Sequence, residues 1–582
     1  MKYLLLPILC IALFSCEGKK SNPENKDFTT IFEKSNGTQT PTYEEVIAYY
    51  DDLASAYTSI AVYDIGTTDA GKPLSLVTFN PNRSFSSEFS DDMDVRRVLI
   101  NNGIHPGESD GIDATMMLMR DLANGTIPAP ENTWVGAIAV YNIGGAQNRN
   151  STSRTNQNGP EAYGFRGNAR NYDLNRDFMK QDTKNAKAFA EIFHMIDPDV
   201  FIDNHVSNGA DYQYTLTHLF TQHNQLGGVL GEWLDKEFRP AIENDLAAKD
   251  WIITPYVNVF NTVPEKGFSQ FMDGPRYSTG YTTLWNTLGL MVETHMLKPY
   301  KPRVEGTYEL LKSVLKVTAT EGDRIKALRD ESRNAFAKAD TYPIAFTVDS
   351  SKTTTLNFKG YEGIYEESNV TGLQRLKYDR SKPFTKPVTY YNTFKATANI
   401  TVPKAYIFPA NRRDIVEKLR ANGVRLDRIK DDTLMKVGVY RIADYKTYTN
   451  AYEGHYPHYN TVVNETVENV QLRQGDYIAK TDQRSGRYLI EALEPAARDS
   501  FFNWNYFDTI LQQKEGFSPY VWEDKAAELL AEDADLKARF EAKKANDPDF
   551  SKNWYAQLDW LHKASPNYEA AHLRYPIVRM LR

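Results

Sequence analysis

Residues 96–119, RRVLINNGIHPGESDGIDATMMLM, decide how the first half of this chain folds. Val98, Leu99 and Ile100 form a short apolar run of the kind buried on both faces of a parallel sheet. Asn101, Asn102 and Gly103 turn the chain and present His105-Pro106-Gly107-Glu108. A helix is predicted next, with Ser109 or Asp110 as its N-cap and Met116, Met117 and Met119 along its inner side. An imidazole and a carboxylate on a tight turn at the carboxyl end of a buried strand are well placed to hold a metal. Open α/β sheets bind their ligands at such strand ends.

Working outward, strands are predicted at Ile60–Ile65, Leu74–Phe79, Val135–Tyr141, Asp199–His205 and Leu288–Glu293. Helical patterns begin at Tyr43, cover Thr183–Met195 and Leu226–Glu243, and return over Glu305–Glu331. Between them Gln147–Asn175 is a long polar loop carrying Arg149, Arg154, Arg166 and Arg170, and loops of that length are usually functional or disordered. Alternating strands and helices predict an α/β domain over residues 41–335, with a mixed, mostly parallel sheet flanked by helices. From about Tyr342 the pattern changes. Ile344–Val348, Thr354–Phe358 and Val388–Val402 alternate like half-exposed strands, a short helix is expected near Arg413–Asn422, and Ser518-Pro519 opens a helical, charge-laced end that includes Glu528–Phe540. A smaller, accessory α+β domain over 342–582 is expected.

At 582 residues the chain is too long for one core. The net charge of −8 and the lack of a Lys/Arg block argue against nucleic acid as a partner. Both cysteines, Cys10 and Cys16, lie at the very start. The apolar run from Tyr3 to Phe14 is too short to span a bilayer. It ends in Leu13-Phe14-Ser15-Cys16, which resembles the lipobox of bacterial lipoproteins; an ordinary signal peptide cut nearby is the alternative. Residues 1–16 are therefore expected to be a lipoprotein signal peptide and 17–40 a flexible polar tether. The mature protein is expected to be exported, free of disulfides, and held at the bacterial cell envelope by a lipid on Cys16.

Three apolar strands end in His105/Glu108, His205 and Glu293. Two imidazoles and one carboxylate are a common catalytic zinc set with a fourth position left for water. Zinc lowers the pKa of its water from about 15.7 to roughly 7, and a further carboxylate can then take the proton and pass it to a leaving group. Glu293 suits that role. A lone histidine at a strand end is more often structural; the signal is that all of them fall at strand ends in one α/β half.

The ordered set resembles the zinc metallocarboxypeptidases of carboxypeptidase A type. In that family an H-x-x-E turn, a D-x-N-R segment, a strand-end histidine and a distant glutamate follow in this order, and here Asp173-Leu174-Asn175-Arg176 stands in the expected interval. The resemblance covers about residues 43–330. It implies one zinc ion on His105, Glu108 and His205, Glu293 as general base, and Asp173 orienting His105. It further implies Asn175 and Arg176 on the terminal carboxylate of a peptide substrate, a match that suits the bidentate guanidinium fork. An arginine that polarises the scissile carbonyl is also expected, with Arg154 nearest the family spacing and Arg149 its rival. Tyr277 is favoured over Tyr281 as the tyrosine that caps the substrate. The family's Asn-Pro-Asp-Gly stretch is replaced here by Asn142-Ile143-Gly144-Gly145.

The activity so implied is release of C-terminal residues from peptides. Deacylation of acyl-amino acids or trimming of cell-wall peptides by the same fold is the alternative, and a lipoprotein that only binds glycans or partners is a third reading. Outside the set, His295 is expected to pack beside Glu293, while His218, His223, His455 and His458 are not expected to bind metal. The aromatic run Phe501–Phe507 is expected to be a helix packing onto the neighbouring domain.

Overall fold

The computed structural model describes residues 26–81 and 95–582; the expected signal peptide and Cys16 lie outside them. The first half is built on an eight-stranded sheet. Its strands are β1 (Ile60–Ile65), β2 (Leu74–Phe79), β3 (Arg96–Asn101), β4 (Thr133–Ile138), β5 (Val200–Val206), β6 (Leu216–Phe220) and β7 (Ile253–Pro255). A two-residue strand, β8 (Phe268–Ser269), belongs elsewhere, and β9 (Leu288–Thr294) completes the set. The order is β1-β2-β4-β3-β5-β9-β6-β7. Neighbours from β4 to β9 are parallel, whereas β1–β2, β2–β4 and β9–β6 are antiparallel. This is the expected mixed α/β architecture.

Every residue of β3, β4 and β5 is buried, which requires cover on both faces of the sheet. Helices Tyr43–Ala56, Asp110–Ala123, Lys184–Ile196 and Tyr300–Thr320 pack on it. The helix after the opening stretch is preceded by Ser109 and buries Met116 and Met119, while Met117 is only partly covered. Because β3, β5 and β9 run the same way, their carboxyl ends open side by side. Asn101 is paired with Asp203, and His205 with Glu293.

Part of the stretch 17–40 expected to be a flexible tether is folded onto the domain. Phe28 and Phe32 are buried in the main core, and a capping box from Thr30 and Glu33 closes the helix Ile31–Lys34. Two phenylalanines in a polar stretch were enough to dock it.

In the second half, Thr341–Val348 pairs with Phe394–Thr401. A long hairpin, Thr354–Glu367 and Gln374–Tyr391, joins β8 through Tyr390 and Phe268. The single strand expected over 388–402 is thus split between this hairpin and the next pair. A six-stranded sheet follows, and Arg574–Met580 returns to sit in its middle. The aromatic run Phe501–Phe507 is a series of turns, not a helix, yet Phe501, Phe502 and Trp504 are buried. Residues of both halves join in one large buried cluster, with smaller clusters outside it. Trp285 meets Tyr488 at 5.3 Å between ring centroids, and the buried Arg487 donates to the carbonyls of Gln225, Leu226 and Thr283 across the junction.

Candidate metal centre and cleft

The turn after β3 brings His105 and Glu108 back over the end of β5. Gly103 has φ +65°, and a Cβ there would meet Ile112 and Val140 at 3.2 and 3.3 Å. The Glu108 amide closes the turn on the His105 carbonyl at 2.8 Å. Glu108 then lies between two imidazoles, with Oε1 3.3 Å from His105 Nδ1 and Oε2 3.0 Å from His205 Nδ1. The Val206 amide donates to Oε2 at 3.0 Å and fixes the carboxylate.

Each imidazole is held from behind by an aspartate. His105 Nε2 is 3.0 Å from Asp173 Oδ1, and His205 Nε2 is 2.9 Å from Asp203 Oδ2. A carboxylate at Nε2 keeps the proton there and leaves the Nδ1 lone pair free for a metal. The three residues are buried, and His105 Nδ1 has no hydrogen-bond partner. An orphaned buried nitrogen is costly unless something occupies it. One ligand atom from each residue lies within 4.8 Å of the others, so the donor set fits a zinc ion. Among the described residues this is the one such group.

Burial alone would raise the Glu108 carboxyl, but Arg154 and His105 hold it well below the usual carboxylate range. Asp173 is likewise held low against burial by His105, Arg166 and Arg176. Glu293 behaves in the opposite way. Burial, with the Glu108, Asp273 and Asp203 carboxylates adding to it and His205 opposing, pushes its carboxyl up to about 8. A cation on the three ligands would draw that value back down.

His105, Glu108, His205 and Glu293 line a cavity of about 370 Å³ together with Asn175, Arg176, Tyr277 and Arg166. Its remaining wall is largely apolar or aromatic, from Leu219, Tyr256, Phe260, Phe271 and Met291. Asp173 caps the short helical turn Leu174–Arg176 by accepting from the Asn175 amide at 2.9 Å. Asn175 Oδ1 accepts from the Ser278 amide at 3.1 Å, and the Arg176 guanidinium stands 4.4 Å over the Tyr277 ring. Tyr281 is elsewhere: it is fully buried and its hydroxyl bonds Asn422 at 2.6 Å.

Neither arginine singled out for the scissile carbonyl lines the cavity. Arg154 pairs with Glu108 Oε1 at 2.9 Å, and Arg149 donates to the carbonyls of Thr40, Pro41 and Ala162. Besides Arg176, the cavity wall holds Arg166, 3.6 Å from Glu108 and 2.9 Å from Asp173. Sequence reading passed over it because it lies only ten residues before Arg176. Asp203 was also passed over, although a strand puts residues two apart on one face and it precedes His205 by two. Asp273, a buried carboxylate in the same wall, carried no signal.

The other histidines stand apart from the centre. His295 pairs with Asp211 at 3.0 Å, His218 with Glu243 at 2.7 Å, His455 with Asp182 at 2.8 Å and His458 with Asp508 at 3.0 Å.

The chain is similar to known proteins. The profile of the family described as "Zinc carboxypeptidase" matches residues 46–199, which include His105, Glu108 and Asp173–Arg176. "Carboxypeptidase 2" of Trichophyton rubrum is 23% identical over 509 residues, covering 80% of this chain and 84% of that protein. The Trichophyton equinum protein of the same name is 24% identical over 445 residues, covering 70% and 73%. Among solved structures, a metallo-carboxypeptidase from Burkholderia cenocepacia has 19% identity and a TM-score of 0.36, over 48% of this chain and 69% of that one. One from Pseudomonas aeruginosa has 15% identity and a TM-score of 0.37, over 49% and 69%.

Proposed function

Because the chain carries a zinc carboxypeptidase domain, we propose that it hydrolyses the last peptide bond of peptides, with Glu293 as general base. The observation that carries this reading is the placement of Arg176 and Asn175 in the same cavity as the His105–Glu108–His205 set and Glu293. A guanidinium beside a side-chain amide recognises a free carboxylate bidentately. The distance from that pair to the ligand set then selects the terminal bond.

His105, Glu108 and His205 would hold the zinc ion, which supplies Lewis acidity toward water and carbonyl oxygen. Asp173 and Asp203 keep the two imidazoles in the tautomer that ligation needs. Glu293 accepts a proton from the attacking water at its carboxylate and returns it to the leaving amine. Arg166 offers a cation where negative charge develops on the carbonyl oxygen. Tyr277, stacked on Arg176, closes the outer side and limits water access. The aromatic wall with Asp273 set in it suits a residue with a long aliphatic stem and a cationic head, so lysine and arginine are the proposed C-terminal residues.

The protein is further proposed to be exported and lipid-anchored through Cys16, which would place the cleft at the cell envelope. Among the described residues no helix is long and apolar enough to cross a membrane. The reading is tested by profiling peptide products with zinc, with chelator, and after zinc is restored. Stepwise loss of C-terminal residues that stops with chelator supports it. Release of acyl groups from N-acylated amino acids in place of peptide shortening would support a deacylase instead.

A further inference from the structure

The second half of the chain contacts the Asp173–Arg176 segment behind this cleft. Strands Thr433–Thr447 and His458–Leu472 are joined by a loop whose tip is Tyr452-Glu453-Gly454-His455. The tip is a tight turn: the Tyr452 amide donates to the His455 carbonyl at 2.8 Å, and the His455 amide to the Tyr452 carbonyl at 3.1 Å. Glu453 has φ +50° and Gly454 φ +79°. Glycine suits this conformation, and a Cβ at 454 would come within 2.7 Å of the Tyr172 hydroxyl. Glutamate does not suit it, and such outliers persist where their surroundings hold them for function.

The Glu453 side chain is held by the active site. Its Oε2 accepts the Asp173 amide at 2.9 Å, and Asp173 is the residue that backs His105 and pairs with Arg166. The Arg276 guanidinium lies 5.5 Å over the neighbouring Tyr452 ring, and Tyr452 favours the charged forms of both Arg176 and Arg276. Arg276 is fixed by Asp499 at 2.6 Å and lies 4.8 Å over the Trp504 ring. Tyr452 stacks on that ring at 6.1 Å and 16°. On the other side His455 Nε2 meets Asp182 Oδ2 at 2.8 Å. The turn is therefore tied to the Asp173–Arg176 segment by two functional side chains and braced from behind by the C-terminal half.

We propose that Tyr452 and Glu453 are positioning residues of the active site. The C-terminal half supplies the turn that sets Asp173–Arg176, so recognition of the substrate's terminal carboxylate needs both halves of the chain. This rests on the carboxypeptidase reading. Tyr452 orients the Arg176 guanidinium, and Glu453 fixes the backbone from which Asp173 and Arg176 project. A turn that merely fastened the halves together would not depend on either functional group.

The test uses the full chain and the free-acid peptide that the wild type cleaves best. Tyr452→Phe and Glu453→Gly are expected to raise KM about 10-fold, the usual worth of a hydrogen bond to a charged or strained partner. Zinc content and Tm should hold in both, since phenylalanine keeps the stacking and glycine relieves the left-handed conformation. Glu453→Gln, which keeps an acceptor for the Asp173 amide, should stay within about 2-fold of the wild type. KM values within about 2-fold of wild type in both Tyr452→Phe and Glu453→Gly would overturn the proposal, whatever happens to Tm. A wild type that cleaves no free-acid peptide would remove the carboxypeptidase reading and this inference with it. Cleavage by the wild type with unchanged variants removes the inference alone.

Discussion

His205 and Glu293 are register partners on the adjacent parallel strands β5 and β9. A proposed metal ligand and a carboxylate outside the ligand set therefore leave the sheet side by side, one toward Glu108 and the other into the cavity wall. Two rigid strands fix that separation more firmly than loops would. The strands also place an acid whose carboxyl is pushed up to about 8 beside a site that fits a cation.

Glu293→Gln removes the base while keeping its size and its hydrogen-bonding oxygen. Zinc stoichiometry, read by elemental analysis, should stay at one per chain, and turnover should fall at least about 100-fold. Full activity in this variant would exclude Glu293 from the mechanism.

Asp203→Asn and Asp173→Asn each weaken the support behind one imidazole. Each should lower zinc affinity about 10- to 100-fold, measured by competition with a chromophoric chelator. Asp203 also accepts from the Asn101 side-chain Nδ2 at 2.9 Å and the Ser278 hydroxyl at 2.5 Å, so asparagine is chosen to keep the volume filled. Unchanged affinity in both variants would contradict the ligand assignment.

Asp273 is the carboxylate set in the aromatic wall, and burial pushes it up to about 6. Peptides ending in lysine or arginine should be cleaved with higher kcat/KM than those ending in phenylalanine. Asp273→Asn should cut that preference at least about 10-fold. A wild type that favours phenylalanine would show that Asp273 does not set the side-chain preference.

Glu491 reports on the junction between the halves. Burial, with Asp499 adding to it, pushes its carboxyl from the ordinary 4.5 up to about 8, against the Tyr342 hydroxyl and Arg487. The folded state therefore binds this proton more tightly than the unfolded chain does. Its contribution is whole below pH 4.5 and is lost as pH rises toward 8, by at most about 5 kcal/mol. Urea midpoints at pH 5 and pH 8 should drop more in the wild type than in Glu491→Gln. Equal drops would show that Glu491 titrates normally.

Much of the catalytic half was legible in the sequence because its signals are local. The apolar runs at Val98 and Leu288 read as buried strands, the glycine turn before His105 set the register, and Thr183 capped the helix that begins at Lys184. Residues whose role depends on distant partners were not legible. Arg166 reaches the cavity through a long loop held by contacts such as those of Arg149 with Thr40 and Pro41. Phe28 and Phe32 look like part of a polar tether until the core they dock on is present. The Glu453 turn meets Asp173 across 280 residues, a distance that no periodicity in one sequence encodes.

The most direct measurement pairs one peptide ending in lysine as a free acid with its C-terminal amide, each incubated with zinc-loaded protein and followed by intact mass. The account predicts loss of the last residue from the acid and none from the amide. It also predicts a rise in KM of at least about 10-fold for the acid in Arg176→Lys, because an ammonium cannot reproduce the bidentate fork. Equal cleavage of acid and amide would contradict the assignment of Arg176 to the substrate's terminal carboxylate, and with it the carboxypeptidase reading.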